Sequence, residues 1–192
     1  MTQPQRAERG RPGTRDALLD AVDAIVAERG YAACSLQAVA RRAGLTTGAV
    51  YSTFGSRGAL LAAANERRSA DAGLPADEPD LRKAVSALAR NYYDVGQNPE
   101  RFNLVLAQLD LVRLGFTDPG VAESLHETYT RMHAALADDL ERRAGGSLPG
   151  PGLEVSQRLV AVLQGLMLQS IAFGGDIPER VFVEAALAAV RS

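Results

Sequence analysis

Apolar residues recur every three or four positions along most of the chain, which is the spacing of one buried face on an α-helix. Ala and Leu dominate these positions and runs of β-branched residues are scarce, so the pattern favours helix over sheet. We therefore expect an all-α protein. The longer predicted helices cover residues 14–29, 59–72, 80–97, 99–114, 118–140, 154–173 and 178–190.

The stretch 35–54 (SLQAVARRAGLTTGAVYSTF) has a different pattern, which predicts two short helices joined by a tight turn. Ser35 and Thr46 are expected to N-cap them, and Gly44 ends the first because glycine adopts the left-handed conformation without steric cost. A surface hairpin that binds nothing is the simpler alternative, but the flanking sequence argues against it. The outward face of the second helix is small and polar, which suits a DNA major groove. It comprises Thr46, Thr47, Gly48, Tyr51, Ser52 and Thr53.

Three positions around this stretch carry further expectations. Thr14 is expected to cap the first helix. Arg57 lies in the first turn of the helix after the stretch, where a cation opposes the helix dipole, so a DNA phosphate is the better explanation for it. Arg67 is expected to be a solvated surface residue.

Composition and charge narrow the class of protein. Residues 1–70 contain ten arginines against six acids, whereas residues 71–192 contain eleven Lys or Arg against seventeen acids. A basic first third beside an acidic remainder fits a nucleic-acid-binding end. The chain shows no signal-peptide core, no apolar run near the roughly 20 residues of a membrane span, and one cysteine, Cys34. We therefore expect a cytoplasmic protein with no membrane partner.

The segments outside the helices set the predicted boundaries. Residues 1–13 are predicted to be a disordered basic arm, in which Arg9-Gly10-Arg11-Pro12 is similar to the core of a minor-groove-binding AT-hook. Residues 73–79 (GLPADEP) form the clearest boundary, because they combine two prolines with no apolar period.

The order of caps, glycines and apolar positions over residues 14–61 resembles the DNA-binding domain of the TetR (tetracycline-repressor) family of bacterial transcription regulators. The most specific part is Ala43-Gly44-Leu45-Thr46, followed by Gly48, Val50-Tyr51 and Phe54. The resemblance implies an N-terminal three-helix DNA-binding domain over residues 14–72, with its helix-turn-helix at 35–54. It also implies a larger helical domain over residues 80–192 for effector binding and dimerisation.

The resemblance assigns DNA contacts residue by residue. Thr47, Gly48 and Ser52 match positions that contact bases or approach the groove closely. Phosphate contacts are implied for Tyr51, for Arg57 and for the helix N-termini at Ser35 and Thr46, and Gln37 is implied as a phosphate or base-edge contact.

Three positions depart from the family pattern. Thr53 stands where an aromatic residue or His is usual, which puts the local fit to the groove in question. Ala38 and Gly58 stand where acids are common, so a familiar salt bridge is expected to be missing.

A single recognition helix reads few base edges, so the function requires two copies. We expect a homodimer in which residues 154–173 and 178–190 pack against their copies, since the first of these helices is apolar on too many sides for a surface helix. Gly165 would permit close approach. A central core helix in a monomer is the alternative.

The resemblance also implies an effector cavity in the C-terminal region, and few charges among the candidates suggest a hydrophobic or aromatic effector. Ordinary core packing is the alternative for each of them. The two histidines lie seven positions apart, too far to share a metal within one helix, so no metal or cofactor is expected. The candidate lining residues are Tyr92, Phe102, Leu106, Leu109, His126, Tyr129, Met132, His133, Gln164 and Met167.

Two other functions remain as alternatives. A helical enzyme has little support, because the chain lacks a G-x-S-x-G elbow, a P-loop, a Rossmann fingerprint and an HExxH motif. A DNA-binding repressor without an effector differs only in lacking the cavity. The sequence therefore predicts a dimeric repressor that binds a palindromic operator and is released by a small effector.

Overall fold

The computed structural model describes residues 13–68, 73–174 and 176–191. Within these residues it contains nine α-helices and no strand, which confirms the predicted all-α class. A single 3-10 turn, Tyr31–Ala33, lies between the first two helices. The helices are α1 Thr14–Arg29, α2 Leu36–Ala43, α3 Thr47–Phe54, α4 Arg57–Arg68, α5 Leu81–Gln97, α6 Pro99–Gly115, α7 Pro119–Ala144, α8 Gly152–Ala172 and α9 Glu179–Ala189.

Local capping accounts for most helix ends. Asp80 caps α5 by accepting a hydrogen bond from the backbone N–H of Lys83 at 2.8 Å, and Asp118 caps α7 by accepting from Gly120 and Val121. The predicted cap at Thr14 is wrong. Gly13 occupies the N-cap position of α1 without a side-chain hydrogen bond, so α1 begins one residue earlier than a Thr14 cap would allow.

Two other helix starts differ from the prediction. The helix predicted over 59–72 begins at Arg57, which agrees with the placement of Arg57 in its first turn, and Ser56 caps it by accepting a hydrogen bond from the backbone N–H of Ala59 at 3.0 Å, as expected. The helix predicted from residue 154 begins at Gly152, whose N–H donates to Glu141 Oε1 at 2.9 Å.

Parts of the prediction fall outside the described residues. These are residues 1–12 of the basic arm, with its AT-hook-like segment, and residues 69–72 at the end of the helix predicted over 59–72.

Arg67 is not a solvated surface residue. Its guanidinium binds Asp20 at 2.9 Å and also binds Asp23, both on α1. Because α4 packs against α1, the basic end of α4 lies beside the acidic side of α1. Arg67 therefore ties the two helices together.

Two hydrophobic clusters form the interior. The first joins α1–α4 to α6 and α7, where Leu111, Val121 and Leu125 pack against it. The second is centred on α5, α8 and α9, around Phe182. Because the first cluster includes residues of α6 and α7, the core around α1–α4, here called the DNA-proximal core after the predicted function, continues past the predicted boundary at 73–79. The division into domains 14–72 and 80–192 stays a prediction.

The helix-turn-helix is attached to the rest of the chain mainly through α4 and α7. A Cβ atom added at Gly58 would lie 2.2 Å from the carbonyl oxygen of Gly120, so only glycine permits the two helices to approach this closely. The resemblance led us to expect an acid at this position, but no side chain fits there. On the neighbouring α6, Asp110 accepts a hydrogen bond from the backbone N–H of Ala32 at 3.3 Å.

No helix among the described residues combines the length and apolar character needed to cross a membrane.

Candidate nucleic-acid interface

The helix α3 is held in place by its N-cap, its preceding turn and one buried side chain. Thr46 accepts a hydrogen bond from the backbone N–H of Ala49 at 3.2 Å, and the N–H of Leu45 donates to the carbonyl of Ala40 at 2.9 Å. Gly44 adopts a φ of +69°, as the predicted left-handed end of α2 requires. Val50 is buried and anchors α3 to the core. The opposite side of α3 is left facing outward.

Three predicted contact residues share that outward side. Gly48, Tyr51 and Ser52 are exposed, and successive side chains turn about 100° around a helix, which places these three on one face. Tyr51 is 55% exposed. Thr47 is half-buried at the edge of this face. The result is a narrow, polar surface with one projecting hydroxyl.

Thr53 differs from its neighbours. It is half-buried, and its hydroxyl donates to the carbonyl of Ala49 at 2.7 Å. Helical geometry places it on the side away from Gly48. Thr53 is therefore less available to DNA than the other residues of α3.

Ser35 and Gln37 are exposed at the start of α2. The hydroxyl of Ser35 already accepts from the backbone N–H of Ala38 at 3.1 Å. Such caps leave other first-turn N–H groups free to meet an anion. The geometry is compatible with a phosphate at this helix end.

Arg57 uses three donors within the protein. Its Nε donates to the carbonyl of Cys34 at 2.9 Å, its Nη2 to the carbonyl of Tyr31 at 3.4 Å, and its Nη1 to Asp118 Oδ2 at 3.2 Å. The side chain is 25% exposed. Arg57 thus joins the segment before α2 to the start of α7, and the remaining N–H groups of the guanidinium are those left to reach a phosphate.

Two basic residues near α3 were not among the DNA contacts predicted from the sequence. Arg15 lies with its guanidinium carbon 5.0 Å from the centre of the Phe54 ring, at the end of α3, and Arg41 is exposed in the last turn of α2. The nearby Arg42 is paired with Glu28 at 2.7 Å. The sequence feature that could have identified them is their position on the polar faces of α1 and α2, beside α3.

A cavity of about 100 Å³ lies between α6, α7 and α8. Four predicted effector residues line it: Leu109, Tyr129, Gln164 and Met167. Four lining residues were missed, although each lies within one helical turn of a predicted one: Val105, Gln108, Val112 and Leu168. Inside this group, Gln108 Nε2 donates to the hydroxyl of Tyr129. The described lining residues carry amide and phenol groups but no charge.

Tyr92, Leu106, His126, Met132 and His133 are not among the described residues that line this cavity. Leu106 and His126 are exposed, Met132 is half-buried, and the side chain of Phe102 lies outside the described part of the chain. Burial, together with the neighbouring Tyr129, raises the pKa of Tyr92 to about 12, so its hydroxyl stays protonated. The assignment of all ten residues to an effector site stays a prediction.

His133 connects α7 to α8. Its Nδ1 lies 2.9 Å from the hydroxyl of Ser156, which is fully buried. Burial lowers the pKa of His133, because the interior disfavours the imidazolium cation. His133 therefore acts as a neutral hydrogen-bonding partner at neutral pH.

Two family profiles match the chain. The profile for bacterial regulatory proteins of the tetR family matches residues 18–64, which include all of α2 and α3. The profile for the C-terminal region of BetI-type transcriptional repressors matches residues 76–192, well over half of the chain. The chain belongs to the TetR family. As a TetR-family protein it is a DNA-binding regulator of transcription.

Solved structures share the TetR fold over nearly the whole length. GusR from Salmonella enterica is 19% identical, with a TM-score of 0.67 over 95% of this chain and 98% of that one. A protein from Rhodococcus sp. assigned to the TetR-family regulators is 24% identical, with a TM-score of 0.65 over 93% and 98%. The flavonoid-responsive regulator FrrA is 22% identical, with a TM-score of 0.63 over 92% of both chains. At these identities the likeness concerns the fold alone.

A comparison with curated proteins gives no relative that matches this TetR-family chain.

Proposed function

We propose that this TetR-family protein is a homodimeric repressor that binds a palindromic operator and is released from it by a small, mostly apolar effector. The observation that carries the proposal is the outward face of α3, where a capped and anchored helix presents exposed polar groups around Tyr51. A regulator that reads chromosomal DNA acts in the cytoplasm.

The proposed DNA contacts divide into two sets. Thr47, Gly48 and Ser52 would meet base edges in the major groove, where small side chains let the helix approach closely. At most, Thr53 would contact DNA through its main chain, because its hydroxyl already donates to the carbonyl of Ala49. The phosphate set comprises Ser35, Gln37, Thr46, Tyr51 and Arg57, and we add Arg15 and Arg41 to it because both lie beside α2 and α3.

The proposed dimer interface is the outer surface of α8 and α9. The exposed residues of α8 include the small Ala161 and Ala172 beside polar ones such as Gln157 and Gln169, and a Cβ atom at Gly165 would meet nothing within 4 Å. On α9, Ala188 is also exposed. A surface of small residues lets two helices of a second copy pack closely, and symmetric dimers are the commonest assemblies. Dimerisation would place two α3 helices about 34–36 Å apart, one turn of DNA.

The proposed effector site is the cavity between α6, α7 and α8. Its volume of about 100 Å³ and its uncharged lining fit a small neutral aromatic molecule, with Gln108, Tyr129 and Gln164 as hydrogen-bonding partners. Binding would release DNA only if the ligand favours a different spacing of the two α3 helices. The route from the cavity to α3 is short, because α6 and α7 both contact the DNA-proximal core.

The second candidate is a TetR-family repressor without an effector. The size of the cavity favours it, since 100 Å³ is well below the roughly 300 Å³ of ordinary ligand pockets.

The test is fluorescence anisotropy on labelled DNA from just upstream of the protein's own gene, with unlabelled competitor DNA present. We expect tight, salt-sensitive binding that Tyr51→Ala and Thr47→Ala each weaken by about tenfold, the loss of one or two good contacts. Phenol is then added as a small aromatic probe. Release of DNA by phenol supports the effector site.

Thr130→Ala is the matched control for Thr47→Ala, because it makes the same change at an exposed position on α7. It should bind as the unaltered protein does. Equal affinity in all variants would place the recognition surface elsewhere. If no small aromatic compound alters operator binding or shifts the melting temperature of the protein, the repressor without an effector is favoured.

A further inference from the structure

Three arginines from distant parts of the chain meet at one groove. Arg82 is the second residue of α5, Arg143 the second-last residue of α7, and Arg191 follows α9. The groove has a volume of about 420 Å³, the size of an ordinary ligand site, and shares no residue with the cavity between α6, α7 and α8. The other lining residues are Pro79, Asp80, Leu81, Ala144, Ser147, Leu187 and Val190.

Helix dipoles explain only two of these arginines. Arg143 and Arg191 lie at the carboxyl ends of α7 and α9, where a cation is favourable. Arg82 lies in the first turn of α5, where a cation is unfavourable, and the carboxylate of Asp80 at the N-cap is already bound to the backbone N–H of Lys83. Neither Arg82 nor Arg191 pairs with a carboxylate among the described residues.

Arg143 provides an independent observation. Its side chain is only 8% exposed, and its Nε and Nη2 bind Asp139, while Nη2 also donates to the carbonyl of Pro75 at 2.9 Å. Its Nη1 is buried and has no acceptor among the described residues. A buried donor on a charged group without an acceptor is unfavourable. Asp139 also binds Arg142, so its single negative charge balances only one of the two guanidinium groups of Arg142 and Arg143.

The rest of the groove is apolar. Leu81, Leu187 and Val190 contribute hydrocarbon surface beside the guanidinium groups. Asp80 is the only acid among the described lining residues, and its carboxylate caps α5 by accepting from the backbone N–H of Lys83. The surface therefore combines an excess of positive charge with an apolar wall.

We infer that this groove binds a small organic anion, with a carboxylate head on the arginines and a short apolar body against Leu81, Leu187 and Val190. Guanidinium groups bind carboxylates with paired, charge-assisted hydrogen bonds. The site is separate from both the DNA-binding surface and the proposed effector cavity, and it does not rest on the proposed function. It lies where the segment leading from α4 enters α5, since Pro79, Asp80 and Leu81 line it.

The test is isothermal titration calorimetry of the full chain, without DNA, with sodium hexanoate at constant ionic strength. We expect saturable binding of one hexanoate per chain, at least about tenfold tighter than acetate because the tail buries apolar surface. Arg82→Gln and Arg191→Gln should each weaken hexanoate binding by about tenfold. Both residues are exposed, so neither change should disturb folding. Arg143 is left unchanged because it also holds Asp139 and Pro75.

Arg90→Gln is the matched control, because it removes the same charge from an exposed position on α5 outside the groove. It should bind hexanoate as the unaltered chain does. The assignment is overturned if hexanoate does not saturate, if Arg90→Gln weakens binding as much as the two groove variants, or if the groove variants bind normally. Hexanol binding as tightly as hexanoate would overturn it too, since an uncharged ligand needs no arginine.

Discussion

At the scale of the residue, Arg57 has partners inside the protein and is also a proposed contact for a DNA phosphate. Its position at the start of α4 opposes the helix dipole, which argues for a nearby negative charge. The structure provides such a charge within the protein, at Asp118, together with the carbonyls of Cys34 and Tyr31. A guanidinium has five N–H groups, so contacts inside the protein leave donors for a DNA phosphate.

The two roles of Arg57 can be separated with Asp118. We expect Arg57→Gln to weaken operator binding by about tenfold, and Asp118→Asn to change it by less than about twofold. Asparagine still caps α7, so Asp118→Asn removes the charge and little else. Both variants should lose about 0.5–1 kcal/mol of stability in urea unfolding, as is usual for a partly exposed ion pair. Equal losses of DNA affinity would mean that Arg57 acts only by holding Asp118.

The lowered pKa of His133 predicts how the stability of the protein depends on pH. Burial lowers the pKa of this imidazole in the folded state from its ordinary value of 6.5. At pH values below about 6.5 the unfolded chain therefore binds a proton that the folded chain resists, so the free energy of unfolding falls as the pH falls. His133→Gln, which keeps a hydrogen-bonding group beside Ser156, should show a smaller loss between pH 7.5 and pH 5.5 in urea unfolding.

His126→Gln is the control for this measurement, because His126 is exposed on the same helix. It should retain the pH dependence of the unaltered protein. An identical pH dependence in the His133 variant would show that other groups are responsible.

At the scale of the element, α4 and α7 approach each other so closely that only glycine fits at residue 58. Gly58 faces the backbone of Gly120 and Val121, and the ion pair between Arg57 and Asp118 lies beside it. Through this contact a shift of α7 would be passed to α4 and so to α2 and α3. The contact thus links the proposed effector region to the DNA-binding surface.

Gly58→Ala tests how close this contact is. Alanine normally stabilises the interior of a helix by about 0.5–1 kcal/mol relative to glycine. Here the added methyl would lie 2.2 Å from a backbone oxygen, so we expect a net loss of about 1–3 kcal/mol in urea unfolding, the usual cost of overpacking. Gly73→Ala, at a position with nothing within 4 Å, should leave stability nearly unchanged. A stabilised Gly58→Ala variant would contradict the close approach.

At the scale of the whole molecule, the proposed function requires a second copy, because one α3 reads too few base edges for a selective regulator. The proposed surface for that copy includes Ala161 and Ala172 of α8 together with Gly165. The groove near Arg143 lies at the opposite end of α7 from the contact with α4, so its ligand would bind far from the DNA-proximal end of that helix.

Gly165→Leu tests the dimer. The chain has a mass of 20.3 kDa, and multi-angle light scattering should give about twice that value for the unaltered protein at micromolar concentration. Leucine at residue 165 has free space within one chain but would collide with a closely packed partner helix, so the variant should shift toward monomer. Ala27→Leu adds bulk at an exposed position on α1 and should remain a dimer. An unaltered protein that is monomeric would contradict the proposed assembly.

The sequence by itself determined the local structure. Caps such as Ser35, Thr46, Asp80 and Asp118, and the glycine at residue 44, are read from neighbouring residues, because each acts within one helical turn. The predicted helices and the outward placement of Gly48, Tyr51 and Ser52 follow from the same short-range pattern. Thr14 has a side chain that can cap a helix, but Gly13 takes the N-cap position. The residue type alone does not determine where the preceding chain joins the helix.

Only the tertiary structure decided which distant groups meet. The partners of Arg57 and Arg67, the exclusion of any side chain at Gly58, and the lining of the cavity beside Tyr129 all join residues tens of positions apart. The periodic pattern gives the buried face of each helix but not the neighbour that covers it, because many packings bury the same face equally well. Specific contacts therefore depend on helix crossings, which the whole core selects through close packing.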